Sequence, residues 1–163
     1  MENKIKRLRN NIDSLIAFND VIKSKSESPY ITEVILAFRS LQMAKGHLGK
    51  CLSCLGEQTP YTEASTVEEI PGKPQIDVIR RDTFAKSYNN LNALQLINLT
   101  RNEVKIVSDN VWNIYCMNNR TDVTNGKFDI HLVEAFKKLE EASMYYGLAL
   151  RVMKDTHDQQ LVS

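Results

Sequence analysis

No apolar run in this 163-residue chain approaches the roughly 20 residues that a membrane-spanning helix needs. A transmembrane protein is therefore not expected. The N-terminus reads Met1-Glu2-Asn3-Lys4 and turns amphipathic at once, without the continuous apolar core of a secretion signal. The expected location is the cytoplasm of whichever cell makes the chain. Neither sign of charge is in excess, since 21 basic and 20 acidic side chains leave a net charge of +1. A binder of long nucleic acids usually carries a marked basic surplus. A small anion held in a local pocket is still compatible with that balance. Cysteine is scarce: Cys51, Cys54 and Cys116 are an odd number with no disulfide framework. In a cytoplasmic chain the Asn-x-Ser/Thr matches at Asn98 and Asn119 are chance occurrences.

Catalytic signatures are missing too. The histidines are His47, His131 and His157, and neither H-E-x-x-H nor E-x-x-H occurs. Zincin and di-iron bundle chemistry both require such spacings. Cys51-Leu52-Ser53-Cys54 matches C-x-x-C, but no second Cys/His pair completes a zinc site. It also lacks the strand-to-helix setting of a redox motif, so these thiols read as core packing. There is no Walker loop and no G-x-S-x-G elbow. Glu140 and Glu141 are adjacent, so they point to different faces of a helix. No enzyme, cofactor or metal is expected.

Helical periodicity is what the chain does have. A hydrophobic content of 42% suffices for one packed domain of this length. Apolar residues at three- and four-residue steps predict an all-α bundle of about four helices. The expected segments are an N-terminal helix over 4–23, a helix over 30–55, a loop over 56–75, a middle helix over 82–117 and a last helix over 129–153. Gly56 suits a left-handed residue that ends the second helix. Neither Gly nor Pro occurs between Asp82 and Asn125. An unbroken middle helix of about 35 residues would run about 50 Å. It either breaks near Asn89-Asn90 or Asn98, or extends to meet another subunit. Residues 156–163 read as a polar, frayed tail.

Lys4, Lys6, Arg7 and Arg9 crowd the start of the first helix, the end where the helix dipole disfavours cations. One reading is a solvated face; the other is a basic patch near a phosphate ligand or a partner.

The second and last helices echo each other. Ala37, Phe38, Leu41 and Ala44 fall on Ala135, Phe136, Leu139 and Ala142, at a constant shift of 98 positions. Arg39 meets Lys137 and Gln42 meets Glu140; Gly49 falls on Gly147 and Leu52 on Leu150. Gly46, Gly49 and Gly147 sit inside helices, where glycine costs roughly 0.5–1 kcal/mol relative to alanine. Close helix packing is one explanation; close approach of a ligand or subunit is the other. Beside them stand Arg39, Lys45, His47, Lys50, Lys137, Lys138 and Arg151. Cations beside exposed backbone are what a phosphodiester needs. Tyr61, Tyr145 and Tyr146 are candidates for stacking on a base, or else for core and rim packing.

Glu33 to Gly49, followed by Leu55-Gly56 and Thr59-Pro60-Tyr61, resembles a helical hairpin domain of bacteriophage proteins. These are the small cyclic-nucleotide sponges of the anti-CBASS and Thoeris anti-defence group. Val133 to Leu150, with its Ala-Phe-x-x-Leu-Glu-x-Ala core, resembles the hairpin's other arm. The resemblance covers about 45 residues in two pieces. It implies a homo-oligomer, often a hexamer, in the host bacterial cytoplasm. Such an assembly sequesters cyclic di- or trinucleotides, or cyclic ADP-ribose isomers, without catalysis. On that reading Arg39, Lys45, Lys50, Lys138 and Arg151 contact phosphates, Tyr61, Tyr145 and Tyr146 stack, and Gly46, Gly49 and Gly147 allow close approach. The alternative is a helical protein–protein interaction module with no small-molecule ligand.

Overall fold

The computed structural model describes residues 1–25, 30–56, 91–117 and 126–162, with side chains as far as Thr156. Among these residues the chain forms four α-helices and no strand, an all-α bundle. They are α1 (Glu2–Lys25), α2 (Ile31–Cys54), α3 (Ala93–Met117) and α4 (Lys127–Val162). Each apolar stripe turns inward. Ile5, Ile12 and Ile22 of α1, Leu41 and Leu48 of α2, Ile97 and Val104 of α3, and Leu132 and Leu139 of α4 are fully buried. Each such side chain contributes about 1.5–3 kcal/mol by leaving water.

The helices pack in a ring, α1–α2–α4–α3, with α2 against α4 as the most extensive interface. Cross-links give the directions. Lys45 Nζ reaches Asp13 Oδ1 at 2.6 Å, tying α2 to α1. The pairs His47–His131 and Cys51–Phe128 set α2 antiparallel to α4. Ser108 Oγ donates to Glu140 Oε1 at 2.9 Å, and Arg101 lies against Gly147, so α3 and α4 are antiparallel as well. Lys25 Nζ donates to the Leu91 carbonyl at 2.7 Å, joining the end of α1 to the start of α3. The order of directions is up, down, down, up, and the successive helices α2 and α3 stand on a diagonal.

The echo of α2 in α4 carries over into burial, with Ala37, Leu41 and Ala44 enclosed like Ala135, Leu139 and Ala142. A second echo emerges from the packing. Ile5, Arg9, Ile12, Leu15 and Ile22 of α1 correspond, at one constant spacing, to Ile97, Arg101, Val104, Val107 and Ile114 of α3. The aliphatic members of both sets are buried. The bundle is thus two similar antiparallel pairs, α1–α2 and α3–α4, facing each other.

Several boundaries differ from expectation for local reasons. Asn92 and Gln95 close a reciprocal cap: Gln95 N–H donates to Asn92 Oδ1 at 2.8 Å, and Asn92 N–H to Gln95 Oε1 at 3.1 Å. That arrangement satisfies donors left free at a helix start and begins α3 at Ala93. The expected start at 82 lies outside the described residues; the described helix has 25 residues, and its start at Ala93 agrees with a break near Asn89-Asn90 rather than with an unbroken helix of about 35 residues. The last helix continues past 153 to Val162, in place of a frayed tail, for 36 residues in all. Gly56 has φ +93° and Gly126 φ +81°, so glycine stands where the chain turns left-handed beside α2 and α4. Apart from Gly56, the expected loop over 56–75 lies outside the described residues. No helix among those described is long and apolar enough to cross a membrane.

Candidate functional site

The residues expected to hold a ligand are spread over different sides of the bundle. Lys45 is committed to Asp13 between α1 and α2. Gly147 faces α3, where a Cβ would stand 3.2 Å from the Arg101 guanidinium; its missing side chain makes room for that cation, not for a ligand. Gly49 is buried. Among the described residues no atom lies within 4 Å of a Cβ at Gly46, so none of the described helices requires glycine there. Arg39, Lys50 and Arg151 are exposed. Tyr61 lies outside the described residues.

Tyr146 corrects the stacking assignment. It is 0% exposed, and its hydroxyl donates to Asn19 Oδ1 at 2.6 Å across the bundle. Burial pushes its phenol pKa up, and no ring face is open to a base. The tyrosine is a core residue with one satisfied polar atom. Tyr145 is half-buried, with its hydroxyl 3.4 Å from Glu141 Oε1. Lys138 Nζ holds the other oxygen of that carboxylate at 2.9 Å.

Lys50 and Lys138 do converge on one feature that sequence spacing does not reveal. His47 of α2 and His131 of α4 meet with their Nδ1 atoms 3.2 Å apart and their rings stacked at 5.5 Å between centroids. Burial, first, and then the nearby Lys50 lower the pKa of His47; burial, then His47 and Lys50, lower that of His131. Lys138 acts on His47 and Lys127 on His131 in the same direction, while Glu134 opposes them at both rings. The two histidines lie 84 positions apart, so only the α2–α4 register brings them together. Among the described residues, no three His, Cys, Asp or Glu side chains form a metal-holding group.

A concave site lies elsewhere, between the start of α1 and the end of α3. It has a volume of about 300 Å³. Its floor is Leu8 and Ile114, and its polar wall is Lys4, Arg7, Asn11, Asn110 and Asn113, with Met1 and Met117 at the rim. The crowded N-terminal cations separate here by role. Lys6 pairs with Glu2 at 3.1 Å, and Arg9 is buried at 2% exposure. Lys4 and Arg7 are exposed, and neither forms an ion pair among the described residues. Two free cations, three carboxamides and an aliphatic floor suit a ligand with an anionic group and a flat or apolar body.

The asparagines of this groove were not distinguished by sequence reading. A signal was nonetheless present. Lys4, Arg7 and Asn11 follow one another at helical steps beside the apolar stripe of α1, as do Asn110, Asn113 and Met117 on α3. What the spacing omits is which two helices meet along those stripes. Comparison with protein-family models, curated proteins and solved structures gave no match.

Proposed function

We propose that this chain is a non-catalytic binding protein that sequesters a cyclic nucleotide signal, of the cyclic di- or trinucleotide or cyclic ADP-ribose type. Its role on this reading is to blunt antiphage signalling in a bacterial cytoplasm. The observation that carries the proposal is the α1–α3 groove, with Lys4 and Arg7 free to meet phosphate and carboxamides beside an aliphatic floor. The likeness of Glu33–Gly49 and Val133–Leu150 to the phage sponge hairpin supplies the ligand class. A site of about 300 Å³ is at the small end of ligand pockets. It takes one nucleotide unit, so a cyclic dinucleotide extends past the rim, and a second subunit of a homo-oligomer would cover the remainder. Sequestration then works by mass action on free signal.

The test is to incubate the chain with a panel of these compounds, separate protein from free ligand, denature it and weigh what is released. Release of an unaltered cyclic compound supports a sponge. A linearised or hydrolysed product would point to an enzyme, and no retention of any compound would sink the proposal.

A second reading, a helical interaction module, is favoured by apolar side chains on the surface. Trp112, Ile106, Met144 and Leu148 are exposed, and Met144 and Leu148 follow one another by one turn of α4. That reading expects a stable complex with a protein and no affinity for the panel.

A further inference from the structure

We propose that the contact between His47 and His131 is an acid-sensitive latch joining the two hairpins of the bundle, one that holds with one added proton and opens with the second. The Nδ1 atoms stand 3.2 Å apart, and the ring centroids 5.5 Å. At that distance only one Nδ1 can carry a hydrogen. In the neutral pair one ring donates its Nδ1–H and the other accepts on its Nδ1 lone pair. The donor ring has its remaining lone pair on Nε2; the acceptor ring has its hydrogen there. A first added proton goes to Nε2 of the donor ring. The contact survives it, as an imidazolium donating to a neutral imidazole. A second proton finds no basic nitrogen except Nδ1 of the acceptor ring, which turns two N–H groups and two charges on each other. The pair therefore takes up its protons in two coupled steps, and the second parts the rings.

The surroundings work in the same direction. Burial is the first cause that keeps both rings neutral near pH 7. Lys50 of α2 disfavours a proton on either ring, as do Lys138 of α4 at His47 and Lys127 of α4 at His131. Glu134 of α4 favours protonation at both rings and is outweighed. Its carboxylate is shared with Lys137 at 3.5 Å, and Lys138 is shared with Glu141 at 2.9 Å. Asp129 acts on Cys51, one turn along α2, whose buried thiol stays uncharged.

The pair sits where its failure is felt. The α2–α4 interface is the most extensive of the bundle and ties the α1–α2 hairpin to the α3–α4 hairpin. Leu48 and Leu132, each the chain neighbour of one histidine, are fully buried. One turn along, Cys51 Sγ donates to the Phe128 carbonyl at 3.6 Å. Repulsion between the rings thus acts beside the packed core of this seam. Both folded-state pKa values lie below the ordinary 6.5, so the unfolded chain takes up these protons first. The contribution of the latch is full above pH 6.5 and is lost as the pH falls through the lowered folded values. Carboxylates titrate mainly below about pH 5 and act later.

The test is proton NMR of the histidine rings of the purified full-length chain, followed against pH beside the Tm. His157→Ala identifies the signals of the pair by subtraction. His47 and His131 are expected to titrate below pH 6.5 in two separate steps, the second with at least tenfold weaker proton affinity than the first. His47→Gln is expected to raise the pKa of His131 and to flatten the fall of Tm between pH 7 and about pH 5. Lys50→Gln leaves both rings in place and is expected to raise both values. A single step near pH 6.5 for both rings of the wild-type chain would overturn the proposal. So would a fall of Tm as steep in folded His47→Gln protein as in the wild type. The nucleotide reading concerns a different groove and is unaffected by either result.

Discussion

Tyr146, Gly46 and Cys51 each show how one side chain takes its role from its surroundings. Among the described residues, the Tyr146 hydroxyl has one partner, Asn19 Oδ1, and the Asn19 Nδ2 group is itself buried without one. Tyr146→Phe therefore strands the remaining oxygen as well. Its expected cost is about 1–3 kcal/mol, read as a lower denaturant midpoint in equilibrium unfolding. Gly46 is the opposite case, a helical glycine that no neighbour among the described residues requires. Gly46→Ala should stabilise the isolated chain by about 0.5–1 kcal/mol, seen as a Tm rise of about 1–4 °C. A fall in Tm at concentrations where the chain self-associates would show instead that a second copy packs on this glycine. Cys51 is buried, and burial pushes its thiol up to about 12, whereas Cys116 is exposed. A thiol alkylating reagent at pH 8 should label Cys116 rapidly and leave Cys51 untouched until the chain unfolds. Peptide mass mapping gives the order, and early labelling of Cys51 would contradict the packing of α2 on α4.

Helix by helix, what the sequence revealed depended on whether the cue was local. The apolar stripes of α1 and α2 placed those helices to within about two residues, because burial follows the three- and four-residue period directly. The start of α3 was read only as one alternative, a break near Asn89-Asn90, since the signal that fixes it is a reciprocal side-chain cap at Asn92 and Gln95 inside a run rich in asparagine and leucine. Asn92→Ala should cost about 0.5–2 kcal/mol. It should also speed amide exchange in the first turn of α3 while leaving α4 unchanged. The echo between α2 and α4 was visible because small residues recur at identical positions. The echo between α1 and α3 was not, since isoleucine, leucine and valine substitute for one another in a core with little loss. The candidate site suffered most from this limit. Lys4 and Arg7 stood out as cations, but Asn110 and Asn113 join them only when the end of α3 lies beside the start of α1. The histidine pair depends likewise on the register of α2 against α4.

At the scale of the whole molecule, the bundle offers two chemically distinct places on different helix pairs: a cationic groove between α1 and α3, and a histidine pair between α2 and α4. Of the residues expected to meet phosphate or bases, Tyr146 belongs to the core and Lys45 to an ion pair; the anion site proposed above is the α1–α3 groove instead. The most direct measurement is a calorimetric titration of cyclic di- and trinucleotides and cyclic ADP-ribose isomers into the wild-type chain and a Lys4→Ala/Arg7→Ala variant. The account predicts saturable binding of at least one compound by the wild-type chain. It predicts at least tenfold weaker binding by the variant, with unchanged Tm and oligomeric state, because two charge-assisted contacts worth roughly 1.5–3 kcal/mol each are lost. Equal binding by both proteins, or none by the folded wild-type chain, would contradict it.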